Sequence, residues 1–308
     1  MPMRIFELAE IRRVLHYPEI MDCMRGALIA SSAGECDTPM PMHLQIASED
    51  AEVHMKSSYR RGGKYFALKI AGTFPRNSAP GLSPGNGMML LSSAETGEPV
   101  AFLADGGHLT DVRTAAVSAL IARELGRRDK VIGILGTGIQ ARLQVEMHAQ
   151  VLPLERIILW GRNAERVEAC RRDLARFGDV TVAAIPAEVA HETRLIVTCT
   201  ASRRALIHTA AVLPGTLLSC VGSDSPGKQE IDAAILARAG LVLADSRRQC
   251  EKLGELQHAP DVAGRATELG EFFASPRAVD PHAIVVCDFT GLGVEDLYIA
   301  EHCWEKLA

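Results

Sequence analysis

Two cations stand where cations are hard to place. Lys69 lies inside an otherwise apolar strand-like run, Phe66-Ala-Leu-Lys-Ile70, and Arg113 falls in the first turn of a helix expected to begin near Thr110. A lysine removed from water requires an anionic partner. An arginine near a helix N-terminus opposes the local dipole unless it has an anion to hold. A small carboxylate between Lys69 and Arg113 would satisfy both.

A second group of residues carries a different chemistry. Val131-Ile-Gly-Ile-Leu-Gly-Thr-Gly-Ile-Gln-Ala141 runs from an apolar strand into a glycine turn and then a helical pattern. In the Gly-x-Gly-x-x-Ala arrangement Gly136 makes the turn, Gly138 admits a pyrophosphate, and Ala141 lets helix and sheet approach. Thr137, Ile139 and Gln140 complete that turn, whose N–H groups would face the phosphate charge. The following strand ends in Trp160-Gly-Arg-Asn163 and offers no acid for the adenosine ribose hydroxyls. Arg162 could instead pair with a 2′-phosphate, with Asn163 beside it, so NADPH is expected ahead of NADH. Two later strand ends, Thr198-Cys-Thr-Ala-Ser202 and Val221-Gly-Ser-Asp-Ser-Pro-Gly-Lys228, should line the same crevice, which makes Thr200, Val221 and Ser223 cofactor candidates. Asp224 is either a proton handler or polar anchor, or an Asx-turn carboxylate bonded to its own backbone.

The elements that position these groups divide into two patterns. Before residue 110 the chain reads as mixed α/β: a helix over 18–33, strands over 65–70, 87–92 and 99–104, and a polar loop over 74–87 suited to binding. A long helix capped by Thr110 should follow, to about Leu125. Strands are then expected at 131–135, 157–160, 181–184, 195–198, 217–221 and 241–243, with helices at 139–150, 164–177 and 231–239 between them. Such alternation makes a doubly wound parallel sheet. A further strand over 283–287 and a terminal helix over 294–307 complete the chain. Periodicity alone leaves open whether that tail rejoins the first domain.

Bulk properties exclude several functions. The 308 residues carry a formal net charge of -5, with 47% hydrophobic and 23% charged residues. That balance provides no electrostatic footprint for nucleic acid or an anionic membrane. No apolar run is long enough for a membrane span, and Met1-Pro-Met-Arg-Ile-Phe lacks signal-peptide architecture. Eight cysteines without a Cys-x-x-Cys pair point away from a disulfide framework or a metal site and towards a cytoplasmic location.

The chain resembles the ornithine cyclodeaminase/mu-crystallin family. The matching stretches are Lys69 with its following glycine, Gly81-Leu-Ser83, Gly97-Glu-Pro-Val-Ala-Phe-Leu-Ala-Asp105 and Leu109-Thr-Asp-Val-Arg-Thr-Ala-Ala116. Gly136–Ala141, Gly222–Lys228 and Gly291-Leu-Gly-Val-Glu-Asp296 continue them in order. The resemblance implies a homodimer built from a Rossmann-type dinucleotide-binding domain, residues 113–289, and a discontinuous mixed α/β domain. That second domain, residues 1–112 with 290–308, would bind substrate and dimerise. By the same resemblance Lys69, Arg113 and Ser83 bind the substrate, and Asp224 sits near the reacting amine or imine carbon.

Departures from the family narrow the reaction. Thr38-Pro-Met-Pro-Met-His-Leu44 lacks the arginine that family members often place there, leaving His43 as its substitute. The glutamate that suits cyclodeaminases to a diamino acid is matched most nearly by His54 within Glu52-Val-His-Met-Lys56, with Glu52 as the alternative. Cys287-Asp-Phe-Thr-Gly291 is similar to the reductase branch. The expected reaction is NAD(P)H-dependent reduction of Δ1-pyrroline-2-carboxylate to L-proline, with Δ1-piperideine-2-carboxylate as a second substrate. Asp224, His43 or His54 would handle the proton. Ornithine cyclodeaminase, alanine dehydrogenase, an open-chain ketimine reductase and a non-catalytic ligand-binding protein are the alternatives.

Overall fold

Alternating side chains in the first part of the chain build a sheet with two unlike faces. A computed structural model describes residues 2–78 and 82–308, so Gly81 of the Gly81-Leu-Ser83 stretch lies outside the described residues. Two compact units are present, Met1–Thr114 with Leu292–Ala308, and Ala115–Gly291. One boundary falls inside a helix, and Arg113 groups with the first unit rather than with residues 113–289. Its partners on the terminal helix explain the difference.

Among the described residues the first unit holds seven strands: β1 (Arg4–Glu7), β2 (Cys36–Asp37), β3 (Met42–Ile46), β4 (Ala51–Arg60), β5 (Tyr65–Thr73), β6 (Gly85–Ser93) and β7 (Pro99–Ala104). Their order is β1-β7-β6-β5-β4-β2, with β3 also on β4. Only β1 runs parallel to its neighbour; the remaining pairs are antiparallel. The register sets Lys56 opposite Lys69, His54 opposite His43, and Lys69 opposite Met89. With a side-chain period of two, these residues share one face with Ala67, Leu91, Ala101 and Leu103. That face is covered by the helix Gly293–Leu307, which also packs on the helix Tyr17–Ser32. The opposite face leaves Leu68, Ile70, Met88, Leu44 and Met42 exposed.

The helix expected from Thr110 begins two residues earlier, as His108–Glu124. Its cap is Asp105, whose Oδ2 accepts the Leu109 N–H at 2.7 Å. Gly106 and Gly107 turn the chain between them at φ +62° and +90°, a path open to glycine. Thr110 therefore lies within the helix, and its carbonyl accepts the Thr114 hydroxyl.

The second unit is a parallel sheet. Its strands are β8 (Val131–Leu135), β9 (Arg156–Trp160), β10 (Asp179–Val182), β11 (Leu195–Thr198), β13 (Leu217–Cys220), β15 (Leu241–Ala244), β16 (Thr267–Glu268) and β17 (Val285–Asp288). The order β10-β9-β8-β11-β13-β17-β15-β16 is that of a doubly wound fold, with a small parallel pair, β12 (Arg203–Ile207) and β14 (Gln229–Ile231), beside it. Two local readings shift. Strand β10 ends before Ala183, and the helix expected from Ile231 begins at Ala233, after β14, where Asp232 caps it through the Ala234 N–H. The late strand β17 inserts between β13 and β15. Its residues are buried on both faces, as central parallel strands are.

Candidate active site

In the second unit the two glycines of the turn stand in opposite surroundings. Gly136 sits at φ +134°, and a Cβ there would approach the Cys199 carbonyl oxygen and Sγ at 2.7 Å each. Gly138 is the opposite case: it caps the helix Ile139–His148 at φ -82°, and nothing lies within 4 Å of a Cβ built on it. The first glycine is required by its own chain, whereas the second leaves room for another molecule. Ala141 is fully buried. Thr137 packs its methyl against Gly161, where any side chain would collide. Arg142 ties the turn from behind, its Nη1 donating to the Thr137 and Gly138 carbonyls at 2.8 and 3.1 Å. Ile139 is exposed, while Gln144 donates to the Gln140 side chain at 3.2 Å. After β9, Arg162 is exposed, and the Asn163 side chain accepts the Arg166 N–H at 2.9 Å, capping the next helix.

Local sequence patterns did not reveal what holds the neighbouring loops. Glu230, fully buried, accepts from the Thr198 hydroxyl at 2.7 Å, the Thr200 N–H and hydroxyl at 2.6 and 2.7 Å, and the Gly222 N–H at 2.8 Å. It therefore joins the loops after β11 and β13, which carry Thr200, Val221 and Ser223. Burial pushes its carboxyl up, and the threonine and backbone donors pull against that. Glu255 accepts the Glu230 N–H at 2.7 Å, and Asp288 accepts the Glu255 and Leu256 N–H groups at 2.9 Å each. Asp245 in turn accepts the Thr290 and Gly291 N–H groups at 2.7 and 2.6 Å. The acid of the reductase-like Asp-Phe-Thr-Gly stretch thus organises backbone, and burial raises it to about 7. The only signal in sequence was an acid at the end of an apolar run.

Asp224 bonds to side chains. Its Oδ1 accepts Lys228 Nζ at 2.7 Å and the Ser225 hydroxyl at 3.2 Å. The buried Ser223 hydroxyl donates to the Lys228 carbonyl at 3.0 Å, and Val221 donates its N–H to the Thr198 carbonyl. The loop is fixed around Lys228, and Asp224 stays partly exposed at its rim.

In the first unit the two flagged cations meet on one acid. Lys69 Nζ lies 3.0 and 2.8 Å from the two Asp296 oxygens, and Arg113 Nε donates to Asp296 Oδ1 at 3.1 Å. Arg113 Nη1 donates to Glu295 Oε2 at 2.7 Å. All four residues are at most 3% exposed. The anion that Lys69 and Arg113 were expected to require is therefore supplied within the chain, by the first turn of the unit's last helix. Gly293 makes that possible, because any Cβ there would strike the Ser57 backbone. Burial dominates Lys69 and, with Arg113 and Lys56 nearby, draws it down to about 7 against the attraction of Asp296. Burial opposes ionisation of Asp296, but Lys69, Arg113 and Lys56 outweigh it and hold its carboxyl below the usual range.

His43 and His54 pack edge to face with ring centres 4.3 Å apart, on the sheet face that carries Lys56 and Lys69. His54 Nε2 is 3.8 Å from Glu52. Ser83 lies on the exposed loop, its hydroxyl donating to the Gly85 carbonyl at 2.6 Å. Its carbonyl accepts the Asn77 amide at 3.0 Å, and among the described residues it bonds to neither Lys69 nor Arg113.

Several known proteins are similar to this chain along nearly its whole length. The chain is 37% identical over 309 residues to a Rhizobium meliloti protein named only as a dehydrogenase, covering 97% of this chain and 94% of that one. It is 29% identical over 318 residues to the Δ1-pyrroline-2-carboxylate reductase of Bacillus cereus, covering 99% and 96%. Among solved structures it superposes on an archaeal alanine dehydrogenase dimer with bound NAD at a TM-score of 0.89 and 25% identity, covering 99% and 96%. It matches the iminosuccinate reductase of Paracoccus denitrificans in complex with NAD+ at 0.87 and 26%, covering 98% and 95%. The sequence profile of the ornithine cyclodeaminase/mu-crystallin family matches residues 3–308, and the chain belongs to that family.

Proposed function

We propose that this chain reduces the C=N bond of cyclic 2-carboxy imines with NAD(P)H, converting Δ1-pyrroline-2-carboxylate to L-proline. Δ1-Piperideine-2-carboxylate, giving L-pipecolate, is a second substrate. The observation that carries the reading is the buried pair Lys69 and Arg113, held side by side on Asp296; in this reading they take the substrate carboxylate as well. The Bacillus cereus relative acts as named on the first of these imines, which supports the choice. A bound dihydronicotinamide supplies the hydride for the imine carbon, and a proton at nitrogen completes the amine.

The chain's own residues do the rest. Lys69 and Arg113 orient the acid, which fixes the imine carbon. Gly138 and the N–H groups opening the helix Ile139–His148 hold the pyrophosphate. Arg162 takes the 2′-phosphate, so NADPH is preferred and NADH is used second. Asp224, or the His43–His54 pair, holds the proton that reaches nitrogen. The open apolar sheet face around Leu68, Ile70 and Met88 seats a second copy of the chain, a reading supported by the archaeal alanine dehydrogenase being a dimer. All eight cysteines are free, which suits the reducing cytoplasm in which we place the protein.

An open-chain 2-imino acid is the second reading. It is favoured by Lys56, His54 and His43 on the same face as Lys69, able to take a second acidic group. A steady-state panel decides between them: the two cyclic imines, oxaloacetate or pyruvate with ammonia, and ornithine, each with both coenzymes. NADPH consumption stoichiometric with the five-membered imine is expected. Ammonia release from ornithine without net coenzyme turnover would make the chain a cyclodeaminase, and no turnover at all would leave a ligand-binding protein.

A further inference from the structure

We infer that Asp296 is a positioning residue that keeps Lys69 charged and holds Lys69 and Arg113 at one spacing for the substrate acid. This rests on the reading that the two cations bind a carboxylate. The geometry is a fork: Asp296 Oδ1 meets both Lys69 Nζ and Arg113 Nε, at 3.0 and 3.1 Å. Glu295 takes the other arm of the guanidinium, and its second oxygen accepts the Leu292 N–H at 3.2 Å. The acids are thus locked to the start of their helix, and the cations to the acids.

The groups surrounding Lys69 come from every element packed there. They are Lys56 on β4, Asp105 in the turn after β7, Arg113 on the helix His108–Glu124, and Glu295 and Asp296 on the terminal helix. Burial, Arg113 and Lys56 all favour the neutral amine. Asp296 is the largest influence against them. Without it, Lys69 loses its proton at a lower pH and ceases to attract a carboxylate at neutrality.

The test is Asp296→Asn, with Glu295→Gln as contrast, followed by the pH dependence of kcat/KM and by a 13Cε titration of Lys69 assigned through Lys69→Met. Asp296→Asn should move the Lys69 midpoint, and the alkaline limb of kcat/KM, to lower pH by about 1–3 units. Its KM should rise at least about tenfold at pH 8 and recover towards pH 6, with kcat changed less. Glu295→Gln removes the charge beside Arg113 while Asp296 stays on Lys69, so it should raise KM and move the Lys69 midpoint far less than Asp296→Asn does. A purely structural Asp296 would lower the melting temperature and leave both pH midpoints in place, which overturns the proposal. Should Asp296→Asn not fold, the wild-type protein carries the test: the Asp296 carboxyl 13C shift must respond at the Lys69 midpoint, and indifference refutes the coupling. If the wild type reduces no imine, the functional reading fails, while the Lys69 titration still decides the role of Asp296.

Discussion

Replacing the two glycines of the turn by alanine should produce opposite phenotypes, because one is demanded by the chain and the other by its ligand. At Gly136 the φ of +134° costs an L-residue about 1–3 kcal/mol. The methyl would also press on the Cys199 carbonyl and Sγ at 2.7 Å, an overpacking cost of about 1–3 kcal/mol. The total, about 2–6 kcal/mol, lowers the melting temperature by roughly 10 °C for a unit of this size. At Gly138 the φ of -82° is ordinary, and no atom lies within 4 Å of the new methyl. Alanine there should leave stability unchanged or raise it by about 0.4–1 kcal/mol through the unfolded chain. The methyl would instead meet the pyrophosphate, and about 1–3 kcal/mol of overlap weakens coenzyme binding by about 5–150-fold. Circular dichroism melts and fluorescence titration with NADPH separate the two effects. Wild-type NADPH affinity in Gly138→Ala would refute the placing of the phosphates. An unchanged melt in Gly136→Ala would refute the steric argument.

Three further outcomes follow from the same structure. Arg162→Ala should weaken NADPH by about tenfold, the loss of one charge-assisted contact, while NADH binding stays as it was in the same titration. Asp288→Asn leaves one of two buried backbone N–H groups without its acceptor, which costs about 1–3 kcal/mol in urea unfolding. Because burial raises Asp288 to about 7, its protonation stabilises the fold fully below about pH 4 and no longer above about pH 7; the gap from wild type should therefore narrow as pH rises from about 4 to about 7. Ile70→Asp puts a charge in the open apolar sheet face and should yield monomers in sedimentation velocity; an intact dimer would place the interface elsewhere.

How much was legible in the sequence follows from how far each constraint reaches along the chain. The cradle Gly136–Ala141 could be read because a strand, a glycine turn and a helix start are local events. Lys69 and Arg113 stood out for a related reason: each occupies a place where its own surroundings disfavour it. The helix start was misplaced because Thr110 is a good local cap, whereas Asp105 reaches the Leu109 N–H through a two-glycine turn. The neighbours of β17 were not readable either, since a strand buried on both faces carries no mark of which strands flank it.

Local pattern thus determined that the chain has a doubly wound unit with a dinucleotide turn, and that an anion awaits two cations elsewhere. Tertiary structure alone decided which anion. Asp296 is 227 positions from Lys69 and 183 from Arg113, and only the docking of the last helix on the sheet brings them within 3.1 Å. The same holds for Glu230, which joins two loops 30 and 8 positions before it. A buried charge states its need in the sequence, but the partner that meets it is set by packing.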